Sequence, residues 1–552
     1  MMNTPDGYSA RIRLNGITYS FRGELSCDSF KAKLTTNEGR IRLVIEPLRE
    51  LIFEELTVSA DINIERGQRI FMNGYQSWTD SREFEPHEKM RGLHGIPAAA
   101  VKKYSFDRYG DYGFVRYPNK AGEFHGFTYA YLKDGGDYLL FGSADESIGF
   151  TLIRLSVSGR RVSFSRECEG AVFSQKFTAV DIAVLQGTDS EVFDSWFGIM
   201  GITPPAAKPL RGYTSWYRHY QNISQEKLSH DLDAIVADGA ETDIFQIDDG
   251  YQTAVGDWLS VDDEKFPDGM AEMSRKIHEN GLLSGLWLAP FVCEEDSEIF
   301  REHKGWLLRG SDGEPVRAGC NWSGSYALDF YNEEVRRYLR HVFSTVLGEW
   351  GFDLVKLDFL YAVCIIPQLG KSRGQVMNEA MDFLRECVGD KLILGCGVPL
   401  ASAFGRADYC RIGCDVGLDW NDNPVMQMTH RERVSTKNSM LNSVFRRQLN
   451  GRAFLNDPDV FLLRDDGLKL TGCQKQALTV VNNLFGSVWF TSDDVSSYSE
   501  KAKRTRHSGE LMRKAEVISV DTCGGDVDID IRLGGKPVGL TLTAEGMLKK
   551  RY

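Results

Sequence analysis

Through most of the first 190 residues, β-forming side chains alternate or cluster between Gly, Asp and Asn turns. The clearest runs are YSARIRLNGITYSFRG, RIRLVIEP, LTVSADINI, YLLFGSA, SIGFTLIRLSV and RRVSFSREC. A period of two sends successive side chains to opposite faces of a strand. The runs therefore predict short strands with no amphipathic helix between them, and a β-sandwich over residues 1–195. SEVFDSWFGIMG reads as a connecting helix and GITPPAAKPL as a Pro-rich link.

From about residue 211 the rhythm becomes strand, loop, helix. The strand candidates are GYTSWY, TDIFQID, LSGLWLAP, LVKLDF, KLILGCG, YCRIG, FLNDP and SVWFT. Between them lie patterns of helical period. In NEEVRRYLRHVFSTVLGEWG, Val335, Leu339, Val342, Phe343, Val346, Leu347 and Trp350 fall on one face. Asn332 supplies an N-cap and Gly351 a stop. Ala380, Met381, Leu384 and Val388 repeat the design. Eight strands alternating with helices predict a (β/α)8 TIM barrel over 196–495, linker helix included. A doubly wound sheet would want a GxGxxG turn after a strand, and there is none. Short β runs return in AEVISVDT, DVDIDIRL and VGLTLTA, giving a small C-terminal β domain over 496–552.

The chain of 552 residues has room for two to four domains, and 42% hydrophobic with 26% charged residues is ordinary for a globular protein. A net charge of −13 argues against a phosphate-binding surface, so no nucleic acid is expected as partner. No apolar stretch is long enough to span a membrane, and residues 1–20 lack the h-region of a signal peptide. The 11 cysteines are scattered without a CxxC pair, which suits free thiols and a cytoplasmic location.

One strand candidate is chemically odd. DLVKLDFLYA carries Lys356 and Asp358 two positions apart in an apolar run, so both point to the same side. An unpaired buried charge costs several kcal/mol. A buried ion pair serving only the fold is the plain reading, but such pairs seldom raise stability, so a functional role explains them better. In barrels, chemistry gathers where strands end. The other strand ends offer Trp216 and Tyr217, Asp248 and Asp249, Trp287, Cys396, then Arg411 and Asp415. An aspartate after a strand is often a helix N-cap or Asx turn, and that reading is preferred for Asp457, Asp459, Asp493 and Asp494. Trp216 or Trp287 alone would more often be core, Cys396 between two glycines is as readily a small residue in a tight place as a site residue, and His219 as readily rim surface as site.

HExxH, Cys/His ligand spacing, a Walker loop and GxSxG are absent. Carboxylates beside indoles suit carbohydrate chemistry: one carboxylate attacks or stabilises an anomeric carbon, another protonates the leaving oxygen, and indole faces cover the sugar's apolar side.

The motifs NGYQSW (73–78), SWY (215–217), FQIDDGYQ, GDW (256–258), FP (266–267), GLWLAPF, VKLDFLYA, LGCG, RIGCD and LNDPD stand in one order along nearly the whole chain. In this the sequence resembles the melibiase-type α-galactosidases of glycoside hydrolase clan D, in the compact subgroup of family thirty-six. The resemblance implies Asp358 as nucleophile and Asp415 as acid/base. It implies Asp248, Asp249, Lys356 and Arg411 as sugar contacts, Trp216 and Trp287 as pocket walls, Cys396 as a lining residue, and Tyr75 and Trp78 at a rim lent by the N-terminal domain. KLDFLY replaces the KWDMNR of many members, and RIGCDVGLDW replaces a WTSD-like segment; both carboxylates remain.

The implied reaction is retaining hydrolysis of terminal α-galactosides by double displacement, with the two carboxyls roughly 5 to 5.5 Å apart and the Lys356 ammonium helping to keep Asp358 ionised. No cofactor or metal is implied, and the partner is an oligosaccharide substrate. An α-N-acetylgalactosaminidase or related α-glycosidase would use the same machinery. A non-catalytic sugar-binding member should have lost one of the two acids. Larger members assemble and compact ones need not, so no oligomeric state follows.

Overall fold

The computed structural model describes residues 2–37, 39–421, 424–427 and 431–552. Its architecture is a β-sandwich, a (β/α)8 barrel and a small antiparallel β-sheet, in that order along the chain.

Two antiparallel sheets form the sandwich, one of six strands and one of eight among the described residues. The eight-stranded sheet exposes one face along Phe30–Asn37 and Arg40–Pro47 but is apolar on both faces along Arg69–Met72, Tyr129–Asp134 and Asp137–Ser143, and the period of two shows how. In Arg69–Met72, Ile70 and Met72 face the sandwich core with Ile12, Leu56 and Val58, while Phe71 faces the barrel side. In Tyr129–Asp134, Ala130 and Leu132 take the first face, Tyr129 and Tyr131 the second. The helix Asp189–Met200 covers that second face with Val192, Phe193, Trp196 and Phe197. Thr188 and Glu191 form its capping box, and Gly201 closes it at φ +68°. The Trp196 indole donates to the Ser143 carbonyl at 2.7 Å and lies against Gly142, where a Cβ would come within 2.4 Å of it. Sandwich and barrel are thus packed, not merely tethered.

The barrel strands are Leu210–Thr214, Ile244–Ile247, Leu283–Leu288, Leu354–Leu357, Leu392–Gly395, Tyr409–Arg411, a seventh in two pieces, and Val488–Thr491. The first pairs in parallel with both the second and the eighth. The seventh strand closes the ring: Leu455–Asp457 pairs with the sixth and Val460–Phe461 with the eighth. Pro458 and Asp459 make the break, and Asp459 sits at φ +76°, rare for a residue with a Cβ. The helix Glu333–Ser344 is capped by the Asn332 side chain and runs into a π-helical turn, Thr345–Glu349. A three-stranded antiparallel flap (Val292–Glu294, Arg317–Gly319, Ser325–Ala327) stands between the third and fourth strands.

Two expectations need correction. The boundary at 495/496 falls too early: Glu500–Met512 is a helix against the barrel helix Gly472–Phe485, and the C-terminal sheet begins at Glu516. That helix buries only Ala502 and Gly509, so it has no apolar stripe to read. Likewise, a helix does interrupt the N-terminal β pattern. Ala98–Tyr104 has no buried residue, hence no apolar periodicity, and stands in an excursion between the strands Glu83–Phe84 and Glu123–Phe127. Among the described residues no helix is long and apolar enough to cross a membrane.

The C-terminal sheet is bonded back to the first domain. Lys133 reaches the Val520 carbonyl and, at 2.6 Å, the Asp521 carboxylate; Thr522 donates to Glu83 at 2.7 Å. At Gly509 a Cβ would lie 2.5 Å from Thr479 Cγ2, and a β-branched neighbour cannot swing aside. Gly509→Val is therefore expected to lower unfolding free energy by about 1–3 kcal/mol through overpacking, measured by denaturant titration; no loss would mean that the helix is not docked as described.

Candidate active site

The C-terminal ends of the barrel strands surround a cavity of 460 Å³, within the roughly 300–1,000 Å³ of small-molecule pockets. A larger cleft of 1190 Å³ lies beside it, between residues 93–117 and 310–317, but none of the strand-end residues line it.

Trp216, Asp248, Asp249, Trp287, Lys356, Asp358 and Asp415 all line the smaller cavity. Asp358 follows the fourth strand. Its Oδ2 accepts the Trp287 indole N–H at 3.1 Å and its Oδ1 the Phe359 backbone N–H at 2.8 Å. That second bond requires Phe359 in the left-handed region, φ +52°, a strained place for a bulky residue and a frequent mark of active sites. Burial lifts the Asp358 carboxyl above the usual aspartate range; the Lys356 ammonium, the Cys396 thiol and the Trp287 indole pull it back, while Asp415 adds to the lift.

The ammonium of Lys356 is bonded not to Asp358 but to Asp248, Nζ to Oδ2 at 2.8 Å, with both residues buried. Burial works against this ammonium, yet its anionic neighbours, Asp248 foremost, win and raise its pKa above the lysine value. Asp248 also accepts from the Gln246 amide at 2.8 Å, and its own N–H donates to Ser215 Oγ. Asp249 accepts from Gln252 at 2.6 Å and from Gln221 and Trp322 at 2.9 Å each. Burial pushes its carboxyl up to about 6 against those three bonds, with Asp248 adding to the lift.

Three residues expected at the pocket surface lie elsewhere. Tyr75 is core: its ring packs against Phe114, Phe127 and Phe150, and its hydroxyl lies 3.5 Å from Cys364 Sγ. Its neighbour Trp78 does line the cavity, edge-on to Phe359. Cys396 sits behind the wall, where the Trp78 indole donates to its sulfur at 3.4 Å. Arg411 is buried and does not line the cavity; its guanidinium bonds Asp415 at 2.8 Å, Asp459 at 2.8 Å and Asp457 at 3.4 Å. Asp457 and Asp459 are thus partners of Arg411 and neither caps a helix, although Asp457 also makes the expected Asx turn, accepting the Asp459 N–H at 2.8 Å. Asp494 is a cap, accepting from Ser496 N–H, and Asp493 binds Arg464 and the backbone around it. His219 bonds Asp231 at 2.6 Å.

The structure adds lining residues that the sequence reading missed. Trp322, at φ +56° on the flap, meets Trp287 and Phe359 and donates to Asp249. A large indole inside the polar turn CNWSGS was the available signal. Tyr109 and Phe106 come from the N-terminal excursion, and the Tyr109 hydroxyl donates to Asn321 at 2.6 Å. The loop 73–78 that carries Trp78 is held by Arg446, which is fully buried and bonds Asn73 Oδ1 and the carbonyls of Gly74, Gln76, Ser77 and Ile412.

Residues 212–384 match the family model described as Melibiase. A solved structure, TtGalA, an alpha-galactosidase from Thermus thermophilus in complex with p-nitrophenyl alpha-D-galactopyranoside, is 28% identical, with 96% of this chain and 98% of that chain covered and a TM-score of 0.71. The same protein is also solved in complex with stachyose. Among curated relatives, the bifunctional alpha-galactosidase/sucrose kinase AgaSK of Mediterraneibacter gnavus is 29% identical over 28% of this chain, a stretch that is 17% of the relative's length. The A type blood alpha-D-galactosamine galactosaminidase of Flavonifractor plautii is 29% identical over 30% of this chain and 15% of its own length. The motif resemblance and these matches agree: the chain is similar to melibiase-type alpha-galactosidases.

Removing the cation from the buried Lys356–Asp248 pair leaves an uncompensated carboxylate. Lys356→Met should cost about 3–5 kcal/mol of stability, read from denaturant unfolding; a change below about 1 kcal/mol would mean that the pair is not closed in solution.

Proposed function

We propose that the protein is a retaining, exo-acting α-galactosidase that hydrolyses terminal α-D-galactosides of oligosaccharides. The observation that carries this reading is the meeting of Asp358 and Asp415, 57 positions apart in the chain (415 − 358), on one indole-walled cavity at the mouth of the barrel. The similarity to TtGalA along nearly the whole chain supports the substrate class.

In this reading a galactose ring sits among Trp216, Trp287 and Trp322, with hydroxyls donating to Asp248 and Asp249. Asp358 attacks the anomeric carbon as Asp415 gives its proton to the departing glycosidic oxygen, leaving a covalent galactosyl-enzyme. Water, deprotonated by Asp415, then displaces Asp358, and the anomeric configuration is retained. The bonds around Asp358 suit an attacking group: Trp287 and the Phe359 N–H fix its plane, and Lys356 favours its ionised form. A closed pocket with walls lent by Trp78 and Tyr109 favours chain ends over internal bonds. The 11 cysteines are all free thiols, which supports a reducing compartment such as the cytoplasm.

Asp358→Ala should lower turnover of p-nitrophenyl α-galactoside on the order of 10⁴-fold, keep galactose binding, and with azide give the inverted glycosyl azide. Unchanged turnover would remove the nucleophile. The Flavonifractor relative makes a 2-acetamido substrate the reading to discriminate; faster hydrolysis of p-nitrophenyl α-N-acetylgalactosaminide than of the galactoside would replace the substrate assigned above.

A second expectation concerns pH. An ionised Asp249 only accepts hydrogen bonds, and its carboxyl titrates at about 6, so galactose affinity should fall as pH drops through that value. Galactose titrations of Asp358→Ala, which removes another lifted carboxyl of the cavity, should show this limb, and adding Asp249→Asn should remove its part near pH 6, leaving only what Asp459 and the cavity-lining Glu432, both lifted to about 7, contribute. A limb left unchanged by Asp249→Asn would contradict the role given to Asp249.

A further inference from the structure

Asp415 stands on a stretch without helix or strand, 412–420, and its side chain is 40% exposed. A general acid has to aim one proton at one oxygen, so something must hold this carboxyl. The bonds behind it converge on Asp459. The oxygen Oδ1 of Asp459 accepts from Arg411 Nη2 at 2.8 Å, and the same guanidinium donates through Nη1 to Asp415 Oδ1 at 2.8 Å. The other oxygen, Oδ2, accepts the backbone N–H of Val416, the peptide just after Asp415, at 2.8 Å, and also the Tyr217 hydroxyl. Asp459 therefore grips Asp415 by two routes, one through its side-chain partner and one through its chain. Asp457 has only the first, a 3.4 Å bond from Arg411 Nε, and otherwise accepts the Asp459 N–H at 2.8 Å. That last bond belongs to the left-handed turn, φ +76°, which splits the seventh strand and turns Asp459 towards Arg411 and Tyr217.

We propose that Asp459 is a positioning residue for the hydrolysis assigned above, holding the acid/base carboxyl of Asp415 in one orientation through Arg411 and the Val416 peptide. The inference rests on that assignment and names a residue for which the sequence offered only a cap or an Asx turn. The electrostatics agree with it. Burial lifts the Asp459 carboxyl to about 7, Arg411 opposes, and the charge of Asp415 adds to the lift, so the two acids feel each other across the guanidinium. The strained turn also has an explanation, since a local backbone cost is retained where the surroundings use the geometry.

The test compares kcat/KM, which reports the first displacement, on two substrates. Melibiose needs its leaving oxygen protonated, whereas 2,4-dinitrophenyl α-galactoside does not. Asp459→Asn should lower kcat/KM for melibiose about 10²-fold, the scale of a misplaced catalytic group, and for the dinitrophenyl substrate less than about 3-fold, with galactose inhibition unchanged. In an Asp415→Asn background the same change should add nothing, because the group it positions is gone. Tyr217→Phe, which removes one donor and keeps Arg411 in place, should give the same pattern in weaker form; it decides the matter if Asp459→Asn does not fold. Equal losses on both substrates, or losses that multiply in the Asp415→Asn background, would overturn the proposal. If the unaltered protein hydrolyses neither substrate, the reaction assignment falls and this inference with it; if it hydrolyses both, only the behaviour of the variants bears on Asp459.

Discussion

A charge buried beneath the mouth of a barrel has to be balanced by protein groups, because burial strips it of its hydration. Two buried cations meet this constraint. Lys356 is closed against Asp248, and Arg411 against Asp415, Asp457 and Asp459. Asp358 is different. Its hydrogen bonds come from neutral donors: an indole, a backbone N–H and the Cys396 thiol. It is oriented without being spent in an ion pair, which leaves its electron density free for the cavity. The division explains why a lysine two positions away on the same strand does not clasp it: the ammonium lowers its pKa from a distance while bonding another acid.

Part of the cavity wall comes from outside the barrel. Trp78 and Tyr109 belong to the N-terminal domain; a barrel arginine holds the loop 73–77 that leads into Trp78, and Gln76 of that loop donates to the Tyr109 carbonyl at 2.7 Å. Among the described residues no carboxylate is bonded to Arg446; its charge is spread over four carbonyls and one amide oxygen, and burial, which works against the charged form, pushes its pKa down to about 10. An uncompensated buried cation is an unstable solution unless its donors are satisfied, and here satisfying them brings the sandwich loop over the barrel mouth. Tyr75, in the same loop, completes an aromatic core with Phe114, Phe127 and Phe150 and does not touch the cavity.

Much of this was legible because periodicity reports burial. The barrel strands bury their apolar positions, and the helix after Asn332 buries Val335, Leu339, Val342 and Phe343 as its pattern said; in the π-helical turn that follows, Val346 is buried while Leu347 and Trp350 are half-buried. Where burial is achieved by small residues, the pattern is silent: Glu500–Met512 docks through Ala502 and Gly509, and Ala98–Tyr104 buries nothing. The acids could be placed at strand ends, but their partners could not, since those are set by tertiary contacts such as the one that joins Lys356 to a residue 108 positions earlier. Motif order located the loop 73–78 without saying which of Tyr75 and Trp78 would face inward. In NDPD, Asp457 does make the expected Asx turn through the Asp459 N–H, but its bond to Arg411, and that of Asp459, depend on a tertiary contact that the motif does not show.

The hold of Arg446 on the loop 73–77 also has a consequence in time. Ser77 leaves the ribosome 369 residues before the arginine that binds its carbonyl. At roughly 5–20 residues per second, the sandwich can condense well before that partner exists, with its Trp78-bearing edge still loose. The cavity mouth can therefore be completed only once residue 446 has been made, and a polypeptide arrested before that point lacks the anchor of the loop.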